Sequence, residues 1–227
     1  MKASSEKYEY SISWSAKSGC TTFRKLFLFL HQNELDNEPT NKWHDLDLDF
    51  PFNNRFKKVM VLSRNPYDRV LSAFTNKVCG GPGHNGLSRK ISLNRITFKN
   101  FLLYLFDRKS NLGKIDVHIT PQHFSLNLLE DHEVFKIQLE SFNQKIIEAY
   151  NYFGLEQLTP DIKIFLANKN EFKNATQRND DDFFCGETIY SIDETVFPEI
   201  KYFYNDELRE LVQKIYAEDF KIFNYAF

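Results

Sequence analysis

Cysteine is scarce and odd in number. Cys20, Cys79 and Cys185 stand far apart with no CxxC spacing, which excludes a complete disulfide framework and a cysteine zinc site built on this chain alone. Free, buried thiols in a reducing compartment are the reading that remains. Excess positive charge is lacking too. A formal net charge of −2 over 227 residues excludes a general nucleic-acid binder held by bulk charge, so any anion site must be local. Apolar runs are short: FLLYLF at 101–106 is far below the length of a bilayer span. The opening stretch MKASSEKYEYSIS is polar and carries no apolar signal core. The expectation is a cytoplasmic protein with no transmembrane segment.

Aromatic residues, by contrast, are plentiful. Phenylalanine alone supplies 23 residues and the apolar share is 42%, enough for a core and an argument against disorder. No repeat and no linker-like stretch divides the sequence, so residues 1–227 are expected to form a single domain.

Tyr8 to Trp14 alternates as a strand does. A polar loop follows at 15–19, and then Phe23, Leu26, Phe27 and Leu30 recur at helical spacing. Lys58 to Ser63 is a short apolar run of the kind found in buried parallel strands. It ends at Arg64, where Asn65 is a good N-cap, Pro66 suits the first helical position and Asp68 favours the positive end of the dipole. This helix is predicted to run to about Lys77, stopped by the glycines of 80–83. Thr97 to Lys109 reads as a helix, Asp116 to Gln122 as a loop, and Val134 to Glu140 as a strand. Phe142 to Phe153 reads as a helix ended by Gly154, and Leu208, Leu211, Val212, Ile215 and Tyr216 stripe a last helix. Strands alternating with helices predict an α/β fold, P-loop-like and three-layered, with a mainly parallel central sheet flanked by helices.

In such sheets, ligands bind beyond the carboxyl ends of the strands, and two segments fall there. SWSAKSGCTTFRKLF, residues 13–27, crowds hydroxyls around Lys17. It fails the nucleotide-triphosphatase pattern, because the lysine precedes the glycine and no first glycine stands where that pattern needs it. The second segment offers Arg64 at a strand end and Ser72 within the next helix. Each residue alone has an ordinary structural reading: Lys17 solvated in a turn, Arg64 paired with Asp68, Ser72 bonded to its own helix backbone. Taken in order at successive strand ends, they imply a ligand with two separate anionic groups, the first met by Lys17 and a helix N-terminus.

Lys17-Ser-Gly-Cys-Thr-Thr22 and Arg64-Asn-Pro-Tyr-Asp-Arg-Val-Leu-Ser72 resemble the two signature segments of sulfotransferases that use 3′-phosphoadenosine 5′-phosphosulfate (PAPS). The likeness is to the carbohydrate branch, sulfotransferase family 2, with the Golgi 4-O-sulfotransferases and the heparan sulfate 2-O-sulfotransferase. Further landmarks follow in order: Asp116-Val-His118-Ile-Thr-Pro-Gln122, the strand ending Leu139-Glu140, Asn174-Ala-Thr176, and the closing run from Tyr216 to Tyr225. Ala16 stands where the family usually has proline.

The resemblance implies transfer of a sulfuryl group from PAPS to a hydroxyl acceptor, a carbohydrate such as a glycan, glycolipid or capsule, with no metal and no nucleic acid. It assigns Lys17, Ser18, Gly19, Cys20, Thr21 and Thr22 to the 5′-phosphosulfate, with Lys17 stabilising the departing phosphate. Arg64 and Ser72 are assigned to the 3′-phosphate, and Asn174, Thr176 and Arg178 to a loop closing over the nucleotide. His118 is the first candidate for the base and His44 the second. The remaining histidines are expected elsewhere: His31 on the surface at a helix end, His84 in the glycine-rich loop, His123 orienting its own loop, and His132 solvated in an acidic turn. Arg69 and Arg89 could help with the 3′-phosphate or an acidic acceptor but are expected as solvated surface charges, while Glu140 either holds the base or ends its strand. Two other readings stand beside this one: a P-loop nucleotide kinase or NTPase, and a non-catalytic nucleotide- or glycan-binding module on the same fold.

Overall fold

The computed structural model describes residues 2–31, 55–80, 87, 91, 96–127, 129–167, 177–178, 184–191 and 196–226. In chain order the elements are β1 (Lys2–Ser5), β2 (Tyr10–Trp14), α1 (Cys20–His31), β3 (Lys58–Ser63), α2 (Pro66–Ala73), α3 (Phe98–Asp107) and α4 (Leu112–Ile115). They continue with β4 (Glu133–Gln138), α5 (Phe142–Tyr152), α6 (Thr159–Ala167), the short strands β5 (Gln177–Arg178) and β6 (Phe197–Pro198), α7 (Asp206–Ile215) and α8 (Ala217–Ile222). The chain divides into two compact units, one of residues 1–64 and 124–171, the other of residues 65–123 and 172–227.

The first unit holds a sheet of order β1-β2-β3-β4. β1 is antiparallel to β2, whereas β2, β3 and β4 run parallel, so the fold is α/β with a mostly parallel sheet flanked by helices. Trp14 pairs with Leu62, and Ser63 with Gln138. The carboxyl ends of these parallel strands therefore lie along one edge. Tyr10, Ile12 and Trp14 alternate with Ser11 and Ser13, and every one of these side chains is buried. Tyr10, Ile12, Met60, Leu62 and Ile137 form a core with Phe23, Leu26 and Phe27 of α1 and Phe142 and Ile146 of α5. Gly154 ends α5 in the left-handed region at φ 71°, and Leu155 N–H reaches back to Tyr150 O at 2.8 Å. That satisfies an orphan carbonyl of the last turn, a closure the left-handed residue makes possible.

The second unit is helical around a phenylalanine-rich core. Phe74, Phe98, Phe101, Phe203, Leu208 and Phe220 are buried together. Three of its helix starts carry side-chain caps, of which the sequence predicts Asn65. Asn65 accepts from Tyr67 N–H, Thr97 from Asn100 N–H and Asn205 from Leu208 N–H, each at 3.0 Å. α2 continues into a π-helical turn, Phe74–Val78, before Cys79 ends it.

Several expectations are corrected. His31 is not at the surface: it is 2% exposed, with Nε2 2.6 Å from the Tyr10 hydroxyl, which also meets the Tyr150 hydroxyl at 2.6 Å. Its position four residues past Phe27 continues the core-facing stripe by one more turn. Arg69 is not a solvated charge but is 1% exposed, because it lies on the same helical face as Ala73. His132 is half-buried, with both ring nitrogens shielded from solvent. β4 stops at Gln138, and Leu139–Ser141 turns as a 3-10 helix.

Candidate functional site

Loop 15–19 is a tight turn at the carboxyl end of β2. Ser18 N–H donates to Ser15 O at 3.3 Å, and both Lys17 (φ 66°) and Gly19 (φ 77°) are left-handed. An L-residue pays about 1–2 kcal/mol for that conformation, so the lysine backbone is held there by its surroundings. At position 19 a Cβ would lie 2.4 Å from Leu139 Cδ1. Glycine is thus favoured by its φ, and a side chain here would also have to displace the Leu139 methyl that follows β4.

The loop feeds directly into α1, whose first turn carries no acidic residue. The N–H groups opening a helix have no intrahelical partner and form a positive end. Phe23 N–H, the first to find one, bonds to Gly19 O at 3.1 Å. Around these amides Ser18 and Thr22 are buried, Cys20 is half-buried and Thr21 is exposed. Arg64, at the end of β3, donates from Nη1 to Lys17 O at 3.3 Å. The first unit thereby brings Arg64, the opening residue of the second segment, against the loop of the first, and its side chain braces that loop.

In the second unit, Ser72 is half-buried on α2. Loop 116–123, which carries the first candidate base, is held at several points. Arg69 Nη2 donates to Thr120 O at 2.7 Å, and the Tyr216 hydroxyl to Ile119 O at 2.9 Å. Asp219, wholly buried on α8, accepts from Gln122 N–H (2.8 Å) and His123 N–H (2.9 Å), and its Oδ1 lies 2.7 Å from His123 Nδ1. His123 thus orients its loop, as its place beside Gln122 suggests. His118 Nδ1 lies 2.6 Å from Asp116 Oδ1, leaving Nε2 as the other ring nitrogen. The phenol of Tyr216 is pushed above its ordinary range, first by burial and against the opposing pull of the Arg69 guanidinium. It therefore stays a neutral donor to the loop.

His44, Asn174 and Thr176 lie outside the described residues, as do His84 and Arg89. Arg178 is placed by its backbone alone, in β5 opposite Pro198. Glu140 is exposed in the turn after β4. Sequence reasoning missed the parts played by Asp116, Asp219 and Arg69. Asp116 had a local signal, since a carboxylate two residues before a histidine can bond to it across a turn. Asp219 and Arg69 act over long sequence separations, which no local pattern reveals. Among the described residues no group of three His, Cys, Asp or Glu side chains is placed to hold a metal ion, and no helix is long and apolar enough to cross a membrane.

The chain matches the sulfotransferase family over residues 9–226, nearly its whole length, and belongs to that family. No curated protein and no solved structure matches it. Membership makes the chain a transferase of the sulfuryl-transfer class.

Proposed function

We propose that this protein transfers a sulfuryl group from PAPS to a hydroxyl of a carbohydrate, on a glycan, glycolipid or capsule, in the cytoplasm, and that residues 1–227 act as one catalytic domain. The observation that carries this reading is the Arg64 bond to the Lys17 carbonyl, which joins the two signature segments of the family. The donor set suits a phosphosulfate. It offers an ammonium, a guanidinium, hydroxyls and the free N–H groups of a helix start, with no carboxylate in the first turn.

When bound, PAPS supplies the sulfuryl group and leaves as adenosine 3′,5′-bisphosphate. The residues act by positioning and by charge. Lys17 donates to the oxygen on which negative charge develops. Gly19 lets the backbone come close, and Ser18, Cys20, Thr21 and Thr22 line the helix start with N–H and hydroxyl donors. Arg64 and Ser72 hold the 3′-phosphate, with Asn174, Thr176 and Arg178 as further nucleotide contacts. His118 takes the acceptor's proton, and His44 is the alternative for that role.

The loop has no Lys-Ser/Thr pair after its glycine of the kind that sets Mg²⁺ in a P-loop kinase. With radiolabelled PAPS and a panel of glycan acceptors, turnover is therefore expected to persist in excess EDTA. Turnover lost on chelation and restored by Mg²⁺ would argue for a nucleoside-triphosphate enzyme.

A further inference from the structure

A carboxylate two residues before His118 holds that residue at two points. Asp116 Oδ1 accepts the His118 backbone N–H at 2.9 Å and lies 2.6 Å from its Nδ1. One oxygen thus sets both the main chain and the ring. A carboxylate accepts and does not donate, so the nitrogen facing it carries a proton. In the neutral ring, Nε2 then bears the lone pair. The Asp116 side chain is only 12% exposed while that of His118 is 25% exposed, which shelters their hydrogen bond from water but leaves the ring open to a ligand.

Asp116 is itself fixed. Its N–H donates to Leu112 O at 3.2 Å, and its own carbonyl accepts from Ile119 N–H at 3.2 Å and Thr120 Oγ1 at 3.0 Å. Tyr216 and Arg69 pin the carbonyls of Ile119 and Thr120. His123 also meets a carboxylate, but Asp219 is wholly buried and its oxygens take two backbone amides as well. That pair is a latch between α8 and the loop. Asp219 Oδ1 likewise takes both the N–H and Nδ1 of His123; what sets Asp116 apart is its place two residues before His118 within the same loop, where it aims a ring that is 25% exposed.

We propose that Asp116 is a positioning residue for the transfer step, holding His118 as the Nδ1–H tautomer with Nε2 presented to the acceptor hydroxyl. The proposal rests on the reading of His118 as the base. As the acceptor oxygen bonds to sulfur, its proton passes to Nε2. The S–O bond to the 5′-phosphate breaks, and its electron pair stays on the phosphate oxygen. The ring becomes an imidazolium beside the Asp116 carboxylate, so the dyad ends the step neutral overall, and a group already in place stabilises the new charge.

Nitrogen-resolved NMR of the imidazole side chains of the full chain tests this without any acceptor. In its neutral form, His118 is expected with its proton on Nδ1 in the wild type. In Asp116→Asn, whose oxygen can still cap the His118 N–H but whose amide can donate to Nδ1, the tautomer should become mixed or reversed, with His123 unchanged. In sulfuryl transfer, Asp116→Asn should lower kcat by about 100-fold. KM for PAPS and affinity for adenosine 3′,5′-bisphosphate should not change. Adding it to His118→Ala should cost nothing further. A wild-type His118 protonated on Nε2 overturns the proposal. So does an Asn variant with wild-type kcat while His118→Ala is inactive, a result that leaves His118 as the base. Wild-type turnover by His118→Ala removes the base assignment itself, and the role of Asp116 with it.

Discussion

Lys17 occupies the left-handed region at φ 66° although it has a Cβ, and its carbonyl is held by Arg64. Backbone strain and side-chain charge meet in one residue, and two substitutions separate them. Lys17→Gly removes both the strain, about 1–2 kcal/mol, and the ammonium, whereas Lys17→Ala removes only the ammonium. Both variants are expected to lose turnover by about 100-fold or more, with the glycine variant the more stable of the two in urea denaturation. Wild-type turnover in Lys17→Gly would show that the loop needs the left-handed backbone and not the charge. Arg69 makes a related point in the opposite sense. A guanidinium that is 1% exposed is costly to bury, and its bond to Thr120 O spends that cost on fixing the loop of the candidate base.

At the scale of elements, the helix ends show how local chemistry sets boundaries. Gly154 has nothing within 4 Å of where a Cβ would stand, yet its φ is 71°. Gly154→Ala should therefore destabilise by about 1–2 kcal/mol through backbone conformation alone, seen as a lower urea midpoint with activity per folded molecule unchanged. Elements of this kind were legible in the sequence. β3 runs Lys58–Ser63 as its apolar run predicts, and α2 begins at Pro66 after the Asn65 cap. The strand β1 was not legible, because Lys-Ala-Ser-Ser has no aromatic or β-branched residue and gains its place only by pairing with β2. The turn at 15–19 and the helix start after it were legible because their residues lie within ten positions of one another in the sequence. The bracing of loop 116–123 was not, since Arg69, Tyr216 and Asp219 reach it from elements roughly 50 and 100 positions away. Side-chain burial was the least visible property, as His31 and Arg69 show.

For the molecule as a whole, buried phenols are expected to lower stability in alkali. Burial is the first cause raising Tyr150 in one unit and Tyr204 and Tyr216 in the other above the ordinary phenol value, which is about 10. A folded-state value raised above the unfolded one favours the protonated phenol in the native fold. That contribution is complete below about pH 10 and is lost as pH rises through the folded-state values. The urea midpoint should therefore be level from about pH 8 to 9.5 and fall steeply above about pH 10. A midpoint that stays level into stronger alkali would mean that these phenols ionise as readily in the fold as in the unfolded chain.

The central claim is that a lysine placed ahead of its glycine, with Arg64 joined to it, receives a phosphosulfate and not the end of ATP. Titration calorimetry of the full chain with adenosine 3′,5′-bisphosphate, and separately with ATP, tests this most directly. The account predicts micromolar binding of the bisphosphate, weakened in Arg64→Ala, and no measurable binding of ATP. Tight ATP binding with none of the bisphosphate would contradict it.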